Sequence, residues 1–314
     1  MYPSSSINRD NCTRQVQLAR LWESRFSISN CYTSGVPLPR SVQFGPNVRI
    51  LRTDAQGNGK ALIAVWTEKP IDDSEKVVGK IAELYSLISG FSFRYQQAGA
   101  TGIQSVNDLG NPHPSMTLTS QALYTKEQLR KRTADLKARW QRTCNIWNKL
   151  QEKLETSKRQ YLRIALFAHY QSGLFPSMPL EDAYINATIG LEALYNENPQ
   201  DISYKLATRG ALILTASTKN TPIGESYFRA LKHLYTTRNK IVHGGGAKVT
   251  YNELHFLRLY LRESLRSCLA LDLNKKDLIV TIDDALTDEK VRTRLIKNLH
   301  HCRKLLGFKA RAML

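Results

Sequence analysis

The sequence predicts a mainly α protein, in which a smaller α+β region over residues 1–120 precedes an all-α helical bundle over residues 121–314. Residues 126–170 contain no Gly and no Pro, and their apolar residues recur at helical spacing. Residues 41–70 instead place a Gly/Asn/Asp turn between two runs rich in β-branched residues, which is typical of a β-hairpin. Short connections separate the later helical segments, as expected for a helical bundle.

The N-terminal region offers few regular elements. Its first forty residues are polar and are interpreted as irregular. The expected hairpin pairs Val48–Leu51 with Ala61–Trp66 around the turn sequence DAQGNG. Ser74 is a suitable N-cap for a helix, because apolar residues at helical spacing follow it. These residues are Val77, Val78, Ile81, Leu84, Tyr85 and Leu87. Residues 97–116, rich in Gly, Pro, Asn and Ser, are the expected domain boundary.

The C-terminal region begins with a single long amphipathic helix predicted over residues 126–170. Its apolar residues form two heptad series: Leu129, Leu136 and Leu150, and then Trp140, Trp147, Leu154 and Tyr161. The tryptophans lie on this apolar seam, so core packing is favoured for them over base stacking. Further helices are predicted over 180–196, 201–217, from Pro222 to Gly244, over 250–272 and over 287–306, with a short strand or loop over 276–283.

The net charge is the unusual feature of the composition. The chain has 45 Lys and Arg against 27 Asp and Glu, a formal charge of +18. Residues 126–163 hold twelve basic and four acidic residues, and residues 287–314 hold eight and two. This excess indicates a polyanionic partner such as nucleic acid, an anionic membrane or an acidic protein, with solubility alone as the alternative. Arg130, Arg139 and Arg142 are the candidate substrate-binding cations of the first basic stretch.

Several functional classes lack support in the sequence. No apolar run reaches the roughly 18–20 residues of a membrane span, and no signal peptide is apparent. The five cysteines, at 12, 31, 144, 268 and 302, form no CxxC pair, so inert thiols in a reducing cytoplasm are expected. The adjacent His300, His301 and Cys302 lack a second ligand pair, and no metal or cofactor is expected. The usual phosphate-binding, dinucleotide, zinc-protease and hydrolase motifs do not occur.

One helix carries a pair of residues suited to phosphodiester chemistry. Arg238 and His243 are separated by four residues near its C-terminal end. Arginine offers a permanent cationic fork for a phosphate, and histidine can accept and return a proton at neutral pH. A phosphodiester beside a 2′-hydroxyl needs these two functions and no metal. The base removes the hydroxyl proton, the oxygen attacks phosphorus, and the cation stabilises the developing charge.

The surroundings of this pair are more specific than its spacing. Similar spacings occur at Arg163/His169 and between Arg294 and His300 or His301. Among these arginines, Arg238 alone is followed by a polar residue, Asn239. Among these histidines, His243 alone is followed at once by a run of glycines. His243 is therefore expected on the last helical turn, beside a flexible loop and open to solvent or substrate.

Residues 183–244 resemble the HEPN superfamily, specifically its Apea-like branch. The resemblance rests on three blocks in the family's order and spacing: YINATIGLEALY at 184–195, SYKLATRGA at 203–211 and LYTTRNKIVHG at 234–244. It implies a helical fold that dimerises, with the Arg238–His243 motifs of two copies facing each other in a shared cleft. It also implies a metal-independent endoribonuclease that leaves a 2′,3′-cyclic phosphate and a 5′-hydroxyl.

The resemblance assigns catalytic roles to Arg238 and His243, and an orienting role to Asn239. Tyr235 and Lys240, on the same helix, are candidate substrate-binding residues. Two further family-typical positions, Glu192 and Arg209, are interpreted first as a buried structural ion pair. The branch occurs in bacterial phage defence, abortive infection and toxin–antitoxin systems, often cutting tRNA or mRNA, so RNA and an antitoxin are the expected partners.

Two other classes of function compete with an endoribonuclease. Some members of the superfamily are inactive and serve as RNA-binding or scaffold modules, and Arg238 and His243 would also be favourable near the negative end of a helix without any catalytic role. Alternatively, the basic surface docks an acidic protein such as a neutralising antitoxin. Peripheral membrane binding is disfavoured, because the apolar seam of the long basic helix suits partner helices.

Overall fold

The structure, a computed structural model, is mainly α in the part of the chain that it describes. The described residues are 22–29, 41–43, 48–52, 61–67, 72–89, 92, 94–102, 134, 138–139, 141–150, 154, 156–174, 178–217 and 224–308. The chain divides into two compact units. The first unit comprises Met1–Ile81 and Phe93–Cys144, and the second comprises Ala82–Ser92 and Asn145–Leu314. The predicted boundary between residues 120 and 121 stays a prediction.

The described strands of the first unit form one antiparallel sheet in the order β2-β3-β4-β1-β5. The strands are β1 (Trp22–Ser29), β2 (Ser41–Gln43), β3 (Val48–Arg52), β4 (Ala61–Thr67) and β5 (Arg94–Gly102). The interpretation of the first forty residues as irregular is therefore wrong at β1, and the segment 97–116 begins within β5. Strands β3 and β4 pair with Val48 opposite Val65 and Arg52 opposite Ala61. The turn of the hairpin expected here, residues 53–60, lies outside the described residues, so the hairpin itself stays a prediction. Helix α1 (Asp72–Ser89) follows β4, and its residues divide between the two units.

The second unit is helical throughout its described part. After a helical stretch at 145–150, its elements are α2 (Gln160–Ser172), α3 (Leu180–Tyr195), α4 (Ile202–Ser217), α5 (Gly224–Val242), α6 (Tyr251–Leu271), α7 (Lys275–Thr287) and α8 (Glu289–Leu305). The predicted helices over 180–196, 201–217, 250–272 and 287–306 are confirmed to within two residues. Pro222, the expected start of α5, lies outside the described residues.

Helix α6 is central to the second unit, packing against α2, α3, α4 and α8. Its C-terminal half is buried almost completely, from Leu261 to Leu271. Gly190 allows α3 to approach it closely, because a Cβ atom at this position would lie 2.6 Å from a methyl group of Leu261. Replacing Gly190 with a larger residue would therefore force the two helices apart.

The prediction of one continuous helix over 126–170 is wrong at residues 156–159. The chain leaves the α-helical path at Thr156, forms a 3₁₀ turn at Ser157–Arg159 and then begins α2. Arg159 donates hydrogen bonds to the carbonyl oxygens of Asp272 and Leu273, at 2.7 and 3.0 Å, and so caps the C-terminal end of α6. The turn provides this long-range cap, which no local helical pattern reveals.

The strand or loop predicted over 276–283 is also wrong, because these residues belong to α7. The Asn274 side chain accepts a hydrogen bond from the backbone N–H of Asp277 and caps the helix. Its apolar residues follow a helical period, with Leu278, Ile282 and Ala285 buried. The β-branched run suggested a strand, but burial of this helical face overrides that propensity.

The two described aromatic residues of the basic stretch pack as core residues. Trp147 and Tyr161 are buried, which confirms the expectation of core packing for this seam, whereas Trp140 lies outside the described residues. Among the described helices, none is both long and apolar enough to cross a membrane.

Candidate functional site

The motif lies at the C-terminal end of α5, where the chain forms a glycine-based helix cap. Gly244 adopts a positive φ of 71°. Its N–H donates to the carbonyl of Ile241 at 3.3 Å, and the Gly245 N–H donates to the carbonyl of Lys240 at 2.7 Å. These two bonds define a Schellman motif with His243 as the C-cap residue. The His243 side chain is exposed, as the glycine run after it predicts.

Arg238 is held by three side chains from α5 and α3. Its Nη1 donates to Oδ1 of Asn239 at 3.2 Å, and its Nη2 lies 3.4 Å from Oε1 of Glu192. Its guanidinium carbon lies 5.6 Å from the ring centroid of Tyr235, within the range of a cation–π contact. Asn239 thus contacts Arg238 directly, as an orienting residue would.

The contact between Arg238 and Glu192 leaves hydrogen-bonding capacity unused. Their side chains are 21% and 22% exposed. Oε1 of Glu192 and Nε of Arg238 are buried atoms without a hydrogen-bond partner among the described residues. Such groups are costly in a folded protein. Nε of Arg303, in the interior of the second unit, has no hydrogen-bond partner among the described residues either, so this feature is not particular to the motif.

Tyr235 belongs to the same electrostatic cluster. Burial raises the pKa of Tyr235 to about 12, and hydrogen bonding to the negatively charged Glu192 acts in the same direction. Arg238 opposes this shift. The phenol is therefore neutral at physiological pH and can serve as a hydrogen-bond donor, but not as a base.

A buried tyrosine connects the two helices that carry this cluster. Tyr184 of α3 donates its hydroxyl to the carbonyl oxygen of Leu234 in α5 at 2.8 Å. Burial raises the pKa of Tyr184, against the opposing effect of a hydrogen bond with Thr237. This contact fixes α3 beside the last turns of α5, so that Glu192 can reach Arg238.

The far end of the loop after His243 is also fixed. Thr250 and Glu253 form a capping box at the start of α6, with Thr250 Oγ1 accepting from the Glu253 N–H at 3.2 Å. Oε1 of Glu253 lies 3.4 Å from Nε2 of His233 in α5. Burial alone would raise the pKa of Glu253, but bonds from Thr250 and the neighbouring His233 lower it below its ordinary value. The glycine loop therefore runs between two defined helix ends.

The expected ion pair between Glu192 and Arg209 is wrong. Arg209 makes a two-pronged contact with Asp283 of α7, with Nε and Nη2 at 2.8 and 2.6 Å from the carboxylate oxygens. Its Nη1 also donates to the carbonyl oxygen of Tyr195 at 2.6 Å. Arg209 therefore has a structural role away from the motif. Asp283 was missed because its segment was interpreted as a strand or loop.

The remaining candidate residues are only partly described. Lys240 is exposed at the end of α5. Arg139 and Arg142 belong to the first unit, and Nε of Arg142 donates to the carbonyl oxygen of Ala138 at 3.2 Å. Arg130 lies outside the described residues. The substrate-binding roles of these four cations stay predictions.

Histidine and cysteine side chains are common metal ligands. Within the described ranges, no three His, Cys, Asp or Glu side chains form a group that could hold a metal ion. His300 Nε2 instead lies 2.7 Å from the carbonyl oxygen of Ala216, and Cys302 donates to Asn298 at 3.2 Å. Burial raises the pKa of the Cys268 thiol to about 12, so this thiol is unreactive at neutral pH.

The contact between Glu192 and Arg238 is the part of the site that sequence reasoning missed. The two residues stand 46 positions apart, and Glu192 had been assigned to another arginine. Its one signal in the sequence is that it is the only charged residue of the YINATIGLEALY segment.

No family model, curated protein or solved structure matches this chain significantly. The resemblance of residues 183–244 to the HEPN superfamily therefore stays a prediction.

Proposed function

We propose that this protein is a metal-independent endoribonuclease of the HEPN type. One observation carries the proposal: Arg238, braced by Asn239 and Glu192, lies on the same last turns of α5 as the exposed C-cap residue His243. Arg238 provides a fixed cation, and His243 is a titratable group that solvent and substrate can reach. These are the two functions that cleavage of RNA by its own 2′-hydroxyl requires.

The reaction follows from the roles of these two residues. Neutral His243 accepts the proton of a 2′-hydroxyl, and the oxygen forms a bond to the adjacent phosphorus. The guanidinium of Arg238 stabilises the negative charge on the phosphorane oxygens. The bond from phosphorus to the 5′-oxygen then breaks, and that oxygen takes a proton from an acid. The products are a 2′,3′-cyclic phosphate and a 5′-hydroxyl.

A homodimer with a composite site is part of the proposal. The two residues are separated along the helix axis by about 7.5 Å and around it by about 140°, at 1.5 Å and 100° per residue. Within one copy, the cation and the base therefore lie at different positions around the helix axis, from which both can border one groove. A second copy facing it supplies a protonated His243 as the acid for the leaving 5′-oxygen.

The wider setting is proposed chiefly on the resemblance. We propose tRNA or mRNA as substrate, a cytoplasmic location and a role in phage defence or a toxin–antitoxin system, with an antitoxin as partner protein. The formal charge of +18 supports a polyanionic substrate.

Cleavage of RNA by the purified full-length protein in EDTA tests the proposal. Removing a general base lowers the rate by about 10²–10⁴-fold, which is the loss expected for His243→Ala. The matched control is His301→Ala, since His301 is an exposed histidine on α8. This variant should cleave like the wild type.

The end groups and the metal requirement give independent readouts. The 5′-ends of the products should accept a phosphate from a polynucleotide kinase without prior dephosphorylation. Undiminished cleavage by His243→Ala, or cleavage that requires Mg²⁺, would contradict the assignment.

A second candidate is a non-catalytic RNA-binding or scaffold module. It is favoured by the observation that Arg238 already contacts a carboxylate, Glu192, as a purely structural arginine would. This candidate predicts salt-dependent RNA binding without product formation. Product accumulation at substoichiometric protein would exclude it.

A further inference from the structure

Two aromatic side chains form an exposed pair on neighbouring helices of the second unit. The rings of Tyr204 in α4 and Phe228 in α5 meet edge to face, with centroids 5.9 Å apart and planes at 76°. Tyr204 is 60% exposed, and Phe228 is partly exposed. The ammonium group of Lys232 lies 5.8 Å from the centroid of the Phe228 ring. The pair is therefore a solvent-facing platform with a cation beside it, and not a part of the core.

This platform lies on the same face of α5 as the candidate catalytic residue. At 100° per residue, Phe228, Lys232, Asn239 and His243 fall within about 60° of one another around the helix. Phe228 and His243 are fifteen residues apart, which corresponds to about 22 Å along the axis. Lys232, Thr236 and His243 are exposed along this side of α5 and Asn239 is partly exposed, whereas Tyr235 is buried at its edge. A ligand can therefore reach this face through the exposed side chains.

The charge of this face favours an anionic ligand. Its edge carries the exposed cations Arg229 and Lys240 in addition to Lys232. The acidic residue of α5, Glu225, forms an ion pair with Arg229 one turn away. A strip with an excess of cations and an accessible aromatic pair is typical of surfaces that bind single-stranded nucleic acid, since cations follow the phosphates and rings stack on bases.

We propose that this face of α5 is a binding track for single-stranded RNA, with Tyr204 and Phe228 as the platform on which one base stacks. The track extends from the platform through Lys232 to His243. This inference rests on the proposed RNA substrate and adds to it a contact remote from the scissile bond. A base held there fixes the register of the strand, so that the platform determines which phosphodiester reaches Arg238 and His243.

Binding of an uncleavable oligonucleotide tests the track. The probe is an RNA oligonucleotide in which 2′-deoxynucleotides remove the attacking hydroxyl, labelled with 2-aminopurine, whose fluorescence falls when it stacks on an aromatic ring. Loss of one base–aromatic stack weakens single-strand binding by about fivefold to 150-fold, which is the increase in Kd expected for Tyr204→Ala. Tyr204→Phe keeps the ring and should retain both the affinity and the fluorescence quenching.

The matched control is Phe167→Ala, which removes an exposed aromatic side chain from α2. Its affinity should equal that of the wild type. The proposal is overturned if Tyr204→Ala binds and quenches the probe like the wild type, or if the wild-type protein does not bind the probe. It is also overturned if Tyr204→Ala converts a dimer into monomers while RNA binding persists, because the face would then be a contact between subunits.

A failure of the proposed endoribonuclease function can be distinguished from a failure of the RNA-binding track. If the wild-type protein does not cleave an all-RNA probe, the proposed endoribonuclease activity is ruled out. Weakened binding by Tyr204→Ala in the same experiment would still support the track.

Discussion

The second unit uses arginine–carboxylate contacts in two different ways, one around Glu263 and the other around Glu192. Glu263 is 2% exposed and accepts hydrogen bonds from Nη1 of Arg266 at 2.7 Å and Nη2 of Arg303 at 2.8 Å. Arg303 also donates to Ser267 at 2.8 Å. Glu192, by contrast, reaches Arg238 at 3.4 Å, with both side chains about a fifth exposed.

The difference separates a structural cluster from one suited to a ligand. In the Glu263 cluster, Arg266 also donates to the carbonyl oxygens of Leu87 and Ile88, so the cations bind α1 to α6 and α8. A buried charge needs such close partners, because an uncompensated ion in the interior is strongly destabilising. The Glu192 contact is longer and closer to water, so it contributes less to folding, and Arg238 keeps about a fifth of its side chain exposed, as the proposed function requires.

The largest expected effect is on the buried cluster. Glu263→Gln removes the charge that compensates Arg266 and Arg303, and it should lower the free energy of unfolding by about 3–5 kcal/mol. Denaturant unfolding at neutral pH measures this change. A loss below about 1 kcal/mol would show that the cluster is not the structural element described.

The pH dependence of unfolding gives a second readout for the same variant. Burial alone would raise the pKa of Glu263, but the charges of Arg266 and Arg303 hold it below its ordinary value of 4.5. A carboxylate whose pKa is lower in the folded state stabilises the protein above its unfolded pKa and loses that contribution as the pH falls through its folded pKa. The wild type should therefore lose stability below about pH 4.5, and Glu263→Gln should lack this component.

A smaller effect is expected at the helix end beside the motif. Gly244→Ala places a side chain at a φ of 71°, where a Cβ atom would meet nothing within 4 Å, so its cost is one of backbone conformation. The free energy of unfolding should fall by about 1–2 kcal/mol. RNA cleavage should fall as well, because His243 is the cap residue. Gly244→Asn should lose less free energy of unfolding, since asparagine tolerates this conformation. Equal stability of both variants and the wild type would contradict the argument.

The smallest effect on folding is expected at Glu192. Glu192→Gln should change the free energy of unfolding by less than about 1 kcal/mol, because its contact with Arg238 is partly exposed and long. The turnover rate on RNA should nevertheless fall about 10- to 100-fold, since the guanidinium loses its support. Unfolding and single-turnover cleavage are measured on the same preparation. A loss of stability as large as that of Glu263→Gln would make Arg238 a structural residue.

Much of the helical unit was predictable because its signals are local. Apolar residues at helical spacing identified α3, α4, α6 and α8, and the glycine run after His243 marked the end of α5. The Schellman motif there depends on hydrogen bonds between residues at most five apart, so a glycine at the right position is sufficient to indicate it. The exposed position of His243 followed from the same signal.

The errors concern residues whose environment is set by distant parts of the chain. The interruption before α2 depends on Arg159 binding carbonyl oxygens more than a hundred residues away. The helix α7 depends on a buried face that outweighs the strand propensity of its β-branched residues. Neither effect is visible in a window of neighbouring residues.

The sequence by itself determined the helical class of the second unit, the glycine cap and the order Arg238, Asn239, His243 on one helix. Only the tertiary structure decided that Glu192 meets Arg238, that Arg209 pairs with Asp283, and that Tyr204 lies against Phe228. The physical reason is that caps and helical faces are fixed by neighbours along the chain. Ion-pair partners are chosen instead by the packing of whole helices, which brings together side chains that stand far apart in sequence.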